Sequence, residues 1–474
     1  MNPDILIYMS DQHSAYNLGI NDKFQETPFL DKLSLTAYTF TSASTSCPLC
    51  VPARASFLTS KLPSRLGVFD NNSDYKTSEI TMAHLLSNNG YNTSLVGRMH
   101  FVGVDLYHGF DNYYGHDITA NYWGYGLKER KDWGEYAPSF AQKGCLKTMG
   151  IGSNPVLDFD QAVITEAAKV IEASKTDKRP QFTVVGTYGP HFPYAAPKAL
   201  VEKYLNKNEV IEDDELVFLN HLKEKQQFAD VKTIKEVRAI YRAMCEIQDS
   251  QVQTIYDCFK KSITERNREG IFIYLSDHGD QAGYKHLFGK QTFYEHSIKI
   301  PLMMEFIGQK GKRIESEVSI MDIGPTLFDY LNISHNLKLD GKSMLPLLKE
   351  EDAERFAVAE FYEMVQDKLV KGQMVTQAGK KCIYYNDEIP ELYDITLDKM
   401  ETTNLFTTNI ELCQKMKNLM PVIQDCEQEI RDNKEKWKIL NCYGRSHKEL
   451  NTITMNMGYE DKRLEEPFKG MNNE

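Results

Sequence analysis

Two runs of the chain end alike. ILIYMS at 5–10 leads into Asp11 and Gln12, and GIFIYLS at 270–276 leads into Asp277 and His278. Neither run alternates polar with apolar residues, so as strands both are buried on two faces rather than one. Two further β-rich runs, NTSLVG at 92–97 and QFTVVGTYG at 181–189, share this character. Between them lie TSEITMAHLLSNNG (77–90), LDFDQAVITEAAKVIEASK (157–175) and IKEVRAIYRAMCEIQDSQVQTIYDCFKKS (234–262), with apolar residues at helical spacing. Doubly buried strands alternating with helices predict an α/β fold, a large mixed, mostly parallel sheet flanked by helices.

The pattern changes near residue 355. Beyond it RFAVAEFYE, GQMVTQAGKKCIYYN and ELYDI follow closely as strand-like runs, and charged helical sequence extends from about 409 to 439. With 474 residues the chain can support more than one core. The expected division is a large α/β domain at 1–355 and a smaller C-terminal α+β domain at 356–474. The tail MNMGYEDKRLEEPFKGMNNE has no periodic pattern and reads as an arm or disordered segment.

Composition removes several classes of function. Lys and Arg number 55 against 67 Asp and Glu, a net charge of −12 without a long basic run, so no nucleic-acid partner is expected. No apolar stretch approaches the roughly 18 residues that span a bilayer, so no membrane partner is expected either. The start, MNPDILIYMSDQH, lacks a basic leader and reads as a strand rather than a signal peptide. Nine scattered cysteines, an odd number, fit a reducing compartment with mostly unpaired thiols; a cytoplasmic location is the expectation. A homo-oligomer is among the assemblies the sequence allows.

Open α/β sheets present ligand sites at the C-terminal ends of their strands. Either acidic strand end alone reads as a turn cap, but together Asp11, Gln12, Asp277 and His278 offer a carboxylate-rich oxygen site, completed by an imidazole, for Ca²⁺ or Mg²⁺. A second concentration of chemistry is TSCPLCVPARASFLTS at 45–60. Its Cys47 and Cys50 have the spacing of a thiol redox pair or half a zinc site. Cys50 also opens C-V-P-A-R, where Pro52 suits a first helical turn and places Cys50 at a helix N-terminus, a natural anion site.

The stretch CVPARASFLTSK resembles the signature of the type I, formylglycine-dependent sulfatases of the alkaline-phosphatase-like superfamily. In that signature the cysteine of C-x-P-x-R is oxidised to formylglycine, which makes Cys50 the modified residue and implies a formylglycine-generating maturation enzyme as a partner. SDQH, VGRMHFVG, GPHFPY and SDHGDQAGYKHLFGKQ are similar to the family's other segments, in the same order. Four departures stand out: Ala53 for the commoner Ser, Ser60 for Gly, Gln12 for a second acid, and Arg98 for Lys. Carried over, the resemblance implies cation ligands Asp11, Gln12, Asp277 and His278, and catalytic residues Cys50, Arg54, His100, His191 and Lys290. Arg98, Lys290 and His191 would bind the sulfate. In the implied chemistry a hydrated formylglycine attacks sulfur through one hydroxyl, with His191 as acid for the leaving alcohol. The other hydroxyl then gives its proton to His100 as sulfate departs.

The phrases CPLCVPARASFLTSKLPSRLGVFDN and GRMHFVGVDLYHGFD look especially like the choline sulfatase and bacterial glycan sulfatase branch. The expected substrate is a small sulfated molecule, a carbohydrate O-sulfate such as a glycosaminoglycan-derived saccharide. The alternatives are choline sulfate, a phosphonate or phosphate monoester, and a non-enzymatic CxxC redox or metal-binding role. The cluster NYWGYG at 121–126 could stack on a sugar or cage a quaternary ammonium.

Overall fold

The computed structural model describes residues 2–115, 117, 145–152, 155–349, 354–365, 368–422, 426–446 and 464–467; NYWGYG lies outside them. Ten strands precede residue 320: β1 Asp4–Asp11, β2 Tyr38–Ser44, β3 Asn92–Gly97, β4 Asn112–Tyr114, β5 Gly150–Gly152, β6 Gln181–Pro190, β7 Ala195–Ala196, β8 Gly270–Ser276, β9 Leu302–Phe306 and β10 Arg313–Ser319. Eight of them form one sheet in the order β10-β2-β9-β8-β1-β6-β3-β4. β9 runs antiparallel to β2 and β8, and the other neighbours are parallel.

The centre of this sheet is the set of apolar runs identified above, and its two faces explain their composition. Ile5, Ile7 and Met9 of β1 pack with Phe57, Leu58, Met82 and Leu86 on one side. Leu6 and Tyr8 pack on the other with Val156, Phe159 and Val163 of the helix Pro155–Ala173 and Val252, Ile255 and Phe259 of the helix Val231–Glu265. With both faces covered, the middle positions of β1, Ile5 to Met9, are all apolar or aromatic, at about 1.5–3 kcal/mol for each large side chain removed from water. β2, YTFTSAS, carries no such signature because most of its residues are small or hydroxylic, and only its place between β9 and β10 identifies it.

A second sheet is an antiparallel meander, β11 Phe356–Val365, β12 Lys368–Gln377, β13 Lys380–Tyr385 and β14 Glu391–Asp394. The run read as one strand, GQMVTQAGKKCIYYN, is β12 and β13 joined at Ala378 and Gly379, both with left-handed φ (50° and 70°), the conformation of a tight hairpin turn. The charged stretch expected as continuous helix is two, Ile410–Lys417 and Glu427–Ser446. Pro421 lies between them, where it withholds a helical N–H. The tail is not patternless: β15, Leu464–Pro467, pairs antiparallel with β5, which pairs parallel with β7. Thus a strand from beyond residue 356 completes a small sheet begun before residue 200.

Among the described residues, Cys47, Cys50, Cys145, Cys245, Cys258 and Cys426 are free thiols. Cys382 and Cys413 are joined as a disulfide across 31 residues, a pairing no spacing announces. No described helix is long and apolar enough to cross a membrane.

Candidate active site

Four strands deliver the site from their C-terminal ends. β1 ends in Asp11, β8 is followed by Asp277 and His278, β3 by Arg98 and His100, and β6 by His191. β3 and β6 run parallel as neighbours, and the facing glycines Gly97 and Gly186 let their ends come this close. A Cβ on Gly186 would lie 1.8 Å from the Arg98 carbonyl oxygen, and one on Gly97 would lie 2.4 Å from that of Gly186. Gln12 and His100 adopt left-handed φ (72° and 58°), a conformation that costs a side-chain-bearing residue free energy and is retained where the surroundings over-determine it.

Cys50 opens the helix Cys50–Thr59, which is buried along its whole length. Asn71 Oδ1 accepts from the Val51 N–H at 3.0 Å, satisfying one of the first-turn donors that have no partner within the helix. Cys50 Sγ lies 2.9 Å from Lys290 Nζ and 3.2 Å from His278 Nε2. Burial, helped by Asp11 and Asp277, pushes its thiol up against the opposing pull of Lys290 and Arg98. Burial and the nearby Glu360 push Cys47 up much further. Both are therefore neutral thiols, and Cys47 packs among Leu49, Ala53, Leu287 and Phe293, away from the charged cluster. A redox pair needs an accessible, acidified thiol, and neither cysteine provides one.

One turn along the helix, Arg54 donates to Asp277 (Nε to Oδ2, 2.8 Å) and Asp11 (Nη2 to Oδ2, 3.1 Å), clamping the two carboxylates together. Arg98 donates from Nε to Asp11 at 2.7 Å, from Nη1 to Asp117 at 3.0 Å and from Nη2 to His100 Nδ1 at 2.8 Å, with its guanidinium 4.0 Å from the Tyr188 ring centre. Burial resists ionisation of Asp11, but Arg98, Lys290, His191 and Arg54 together hold its carboxyl well below the usual range. His278 is taken down to about 4 by burial, leaving the neutral imidazole that metal ligation requires. Burial and Arg98 likewise hold His100 neutral, as burial and Lys290 do His191.

The donor set suits a hard divalent cation. Ligand atoms of Asp11, Cys50, Asp277 and His278 all lie within 4.8 Å of one another. Gln12 adds a fifth candidate: its Nε2 is spent on Asp280 Oδ2 at 2.6 Å, while its Oε1 is buried without a hydrogen-bond partner. Such an orphan oxygen is costly unless a cation or water takes it up. Arg54, Arg98 and Lys290 formally balance Asp11, Asp117 and Asp277. A divalent cation would leave an excess of two positive charges, matching a sulfate monoester and one ionised nucleophile.

The structure thus gathers nine of the expected residues, Asp11, Gln12, Cys50, Arg54, Arg98, His100, Asp277, His278 and Lys290, through direct contacts. The tenth, His191, sits within electrostatic reach of Lys290 and Asp11. Sequence reasoning missed Asp117, Asp280 and Tyr188. Asp280 was the most accessible of these, being the second acid of the same SDHGD run.

Residues 3–333 match the Sulfatase family, and residues 283–429 match the C-terminal region of N-sulphoglucosamine sulphohydrolase. The chain is 29% identical over 426 residues to a choline-sulfatase of Rhizobium meliloti, covering 85% of this chain and 82% of that one. It is 27% identical over 372 residues to an ulvan-active sulfatase of Formosa agariphila, covering 74% and 66%. Among solved structures, a phosphonate monoester hydrolase of Agrobacterium radiobacter superposes with a TM-score of 0.70 at 19% identity, over 92% of this chain and 96% of that one.

Proposed function

This chain belongs to the sulfatase family and is a sulfuric ester hydrolase; from that premise we propose that it cleaves a carbohydrate O-sulfate, using a formylglycine made from Cys50 and a divalent cation held by Asp11, Gln12, Asp277 and His278. The observation that carries the reading is the position of Cys50 Sγ, 2.9 Å from Lys290 and 3.2 Å from His278 at the focus of the buried charges. That sulfur stands in for the oxygen a formylglycine would present. A hydrated formylglycine would supply a nucleophilic hydroxyl there, and a cation would supply Lewis acidity that lowers the pKa of that hydroxyl.

The chain's own groups do the rest. Arg54 holds Asp11 and Asp277 in register beside position 50. Lys290 places an ammonium where sulfate oxygens and a departing alkoxide gather negative charge. His100 and His191 handle the protons. Arg98, engaged with Asp11, Asp117 and His100, is assigned a positioning role in place of the sulfate-binding one its motif suggests.

The carbohydrate reading draws support from the likeness to an ulvan-active sulfatase, and the choline alternative from the likeness to choline-sulfatase. A panel of sulfated disaccharides, choline sulfate and a matched aryl phosphonate decides among them by kcat/KM; much faster turnover of choline sulfate or the phosphonate overturns the carbohydrate reading. Mass spectrometry of the Cys50 peptide from natively expressed protein tests the nucleophile. Full activity with an unmodified thiol overturns it. Cys50→Ala is expected to abolish turnover, whereas Cys47→Ala is expected to retain it.

A further inference from the structure

We propose that Arg98 and the Phe192 carbonyl lock the two site histidines, His100 and His191, in opposite tautomers, so that His191, rather than His100, accepts the proton given up as sulfate leaves, while His100 donates a hydrogen bond to the substrate's oxygens. The chemical half rests on the formylglycine reading; the geometric half does not.

A guanidinium has only donors and stays charged. Its Nη2 is 2.8 Å from His100 Nδ1, so that nitrogen must present its lone pair, and the proton of the neutral ring sits on Nε2. A carbonyl oxygen has only lone pairs. The Phe192 carbonyl lies 2.6 Å from His191 Nδ1, so this nitrogen carries the proton and His191 Nε2 is bare. Neither Nε2 has a hydrogen-bond partner among the described residues, so each is available to a substrate.

The difference matters when a proton must be taken up. His191 can bind one at Nε2 and keep its bond to Phe192. His100 could become cationic only by placing an N–H at Nδ1 against the Arg98 N–H, breaking the contact that holds it. Arg98 cannot easily retreat, because Asp11 and Asp117 fix two other nitrogens of the same planar group, and Asp117 also accepts the His100 backbone N–H at 3.0 Å. Lysine, the usual residue of this motif, has one freely rotating ammonium and could not span all three partners at once.

In the sulfate-releasing step the remaining hydroxyl's O–H bond breaks toward His191 Nε2. Its electron pair forms the aldehyde C=O, the carbon–oxygen bond to sulfate breaks, and that pair leaves on sulfate. His191 then returns the proton to solvent. This reverses the histidine roles expected from the family resemblance.

Two measurements test the proposal. Nitrogen-15 NMR of selectively histidine-labelled protein, assigned with His100→Gln and His191→Gln, is expected to report a protonated Nε2 on His100 and a protonated Nδ1 on His191. A protonated Nδ1 on His100 overturns the proposal, and this spectrum needs no modification at position 50. Rapid-quench kinetics of formylglycine-containing enzyme with a chromogenic aryl sulfate give the second. His191→Ala is expected to release one alcohol per site and then stall, with sulfate release slowed about 100-fold or more. His100→Ala is expected to slow alcohol release without a burst. Exchanged phenotypes overturn the proposal, whereas wild-type activity without formylglycine overturns only the reading beneath it.

Discussion

Asp280 touches neither Cys50 nor the two clamped aspartates, yet it sets which atom Gln12 turns toward them. Its carboxylate accepts from Gln12 Nε2, from the Tyr194 hydroxyl at 2.8 Å and from the N–H groups of Ala282 and Gly289 at 2.8 and 2.9 Å. Asp280→Asn can present an amide N–H to Gln12 and so free it to flip. Calorimetric titration with Ca²⁺ or Mg²⁺ is expected to register a 10- to 100-fold loss of affinity, roughly the usual cost of removing a ligand's supporting partner. At this scale the residues that strand ends and local motifs single out were legible: Asp11, Cys50, Arg54, Asp277 and Lys290. Asp117 was not. It belongs to no motif, and its role comes from being brought by the fold beside an arginine 19 residues away.

Close approach of neighbouring strands decides whether those residues meet. Gly186→Ala inserts a methyl 1.8 Å from the Arg98 carbonyl oxygen, so β3 and β6 must part where Arg98 and His100 leave the sheet. A stability loss of about 3 kcal/mol is expected in denaturant titration, with turnover falling further than stability alone accounts for. Elsewhere, Asp249 of the helix Val231–Glu265 accepts the N–H groups of Phe29 and Leu30 at 3.0 and 2.7 Å, and burial pushes its carboxyl up to about 6. Its protonated form is favoured by folding, so its contribution is complete below about pH 4 and lost as pH rises through about 6. Relative to Asp249→Asn, wild-type stability is expected to fall by up to about 3 kcal/mol over that range, read from paired melts. The buried central strands were legible as elements because both faces demand apolar residues. β2 and β15 were not, since pairing partners rather than side chains make them strands.

The second sheet is bound to the catalytic one by buried charge. Lys381 of β13, fully buried, donates to the Phe293 carbonyl at 2.8 Å and to Glu295 Oε1 at 3.0 Å, and it also pairs with Glu401. Glu401 in turn accepts the Glu295 N–H at 2.8 Å, and its carbonyl accepts from Lys285 at 2.9 Å. Residues 285–295 carry Lys290, so the smaller sheet braces the segment that reaches Cys50. Lys381→Met leaves Glu295 and Glu401 without their shared cation; a loss of about 3–5 kcal/mol is expected in chemical denaturation, accompanied by reduced kcat.

The span between Cys50 and Lys290, 240 residues, also has a meaning in time. At roughly 5–20 residues per second of synthesis, about 12–48 s separate the emergence of the two. Until residues 277–290 have been made, position 50 lacks the full set of carboxylate, imidazole and ammonium that encloses it in the finished protein. An enzyme making the proposed formylglycine from Cys50 would have a window on the nascent chain that closes when β8 joins the sheet, and slower translation between these points would widen it.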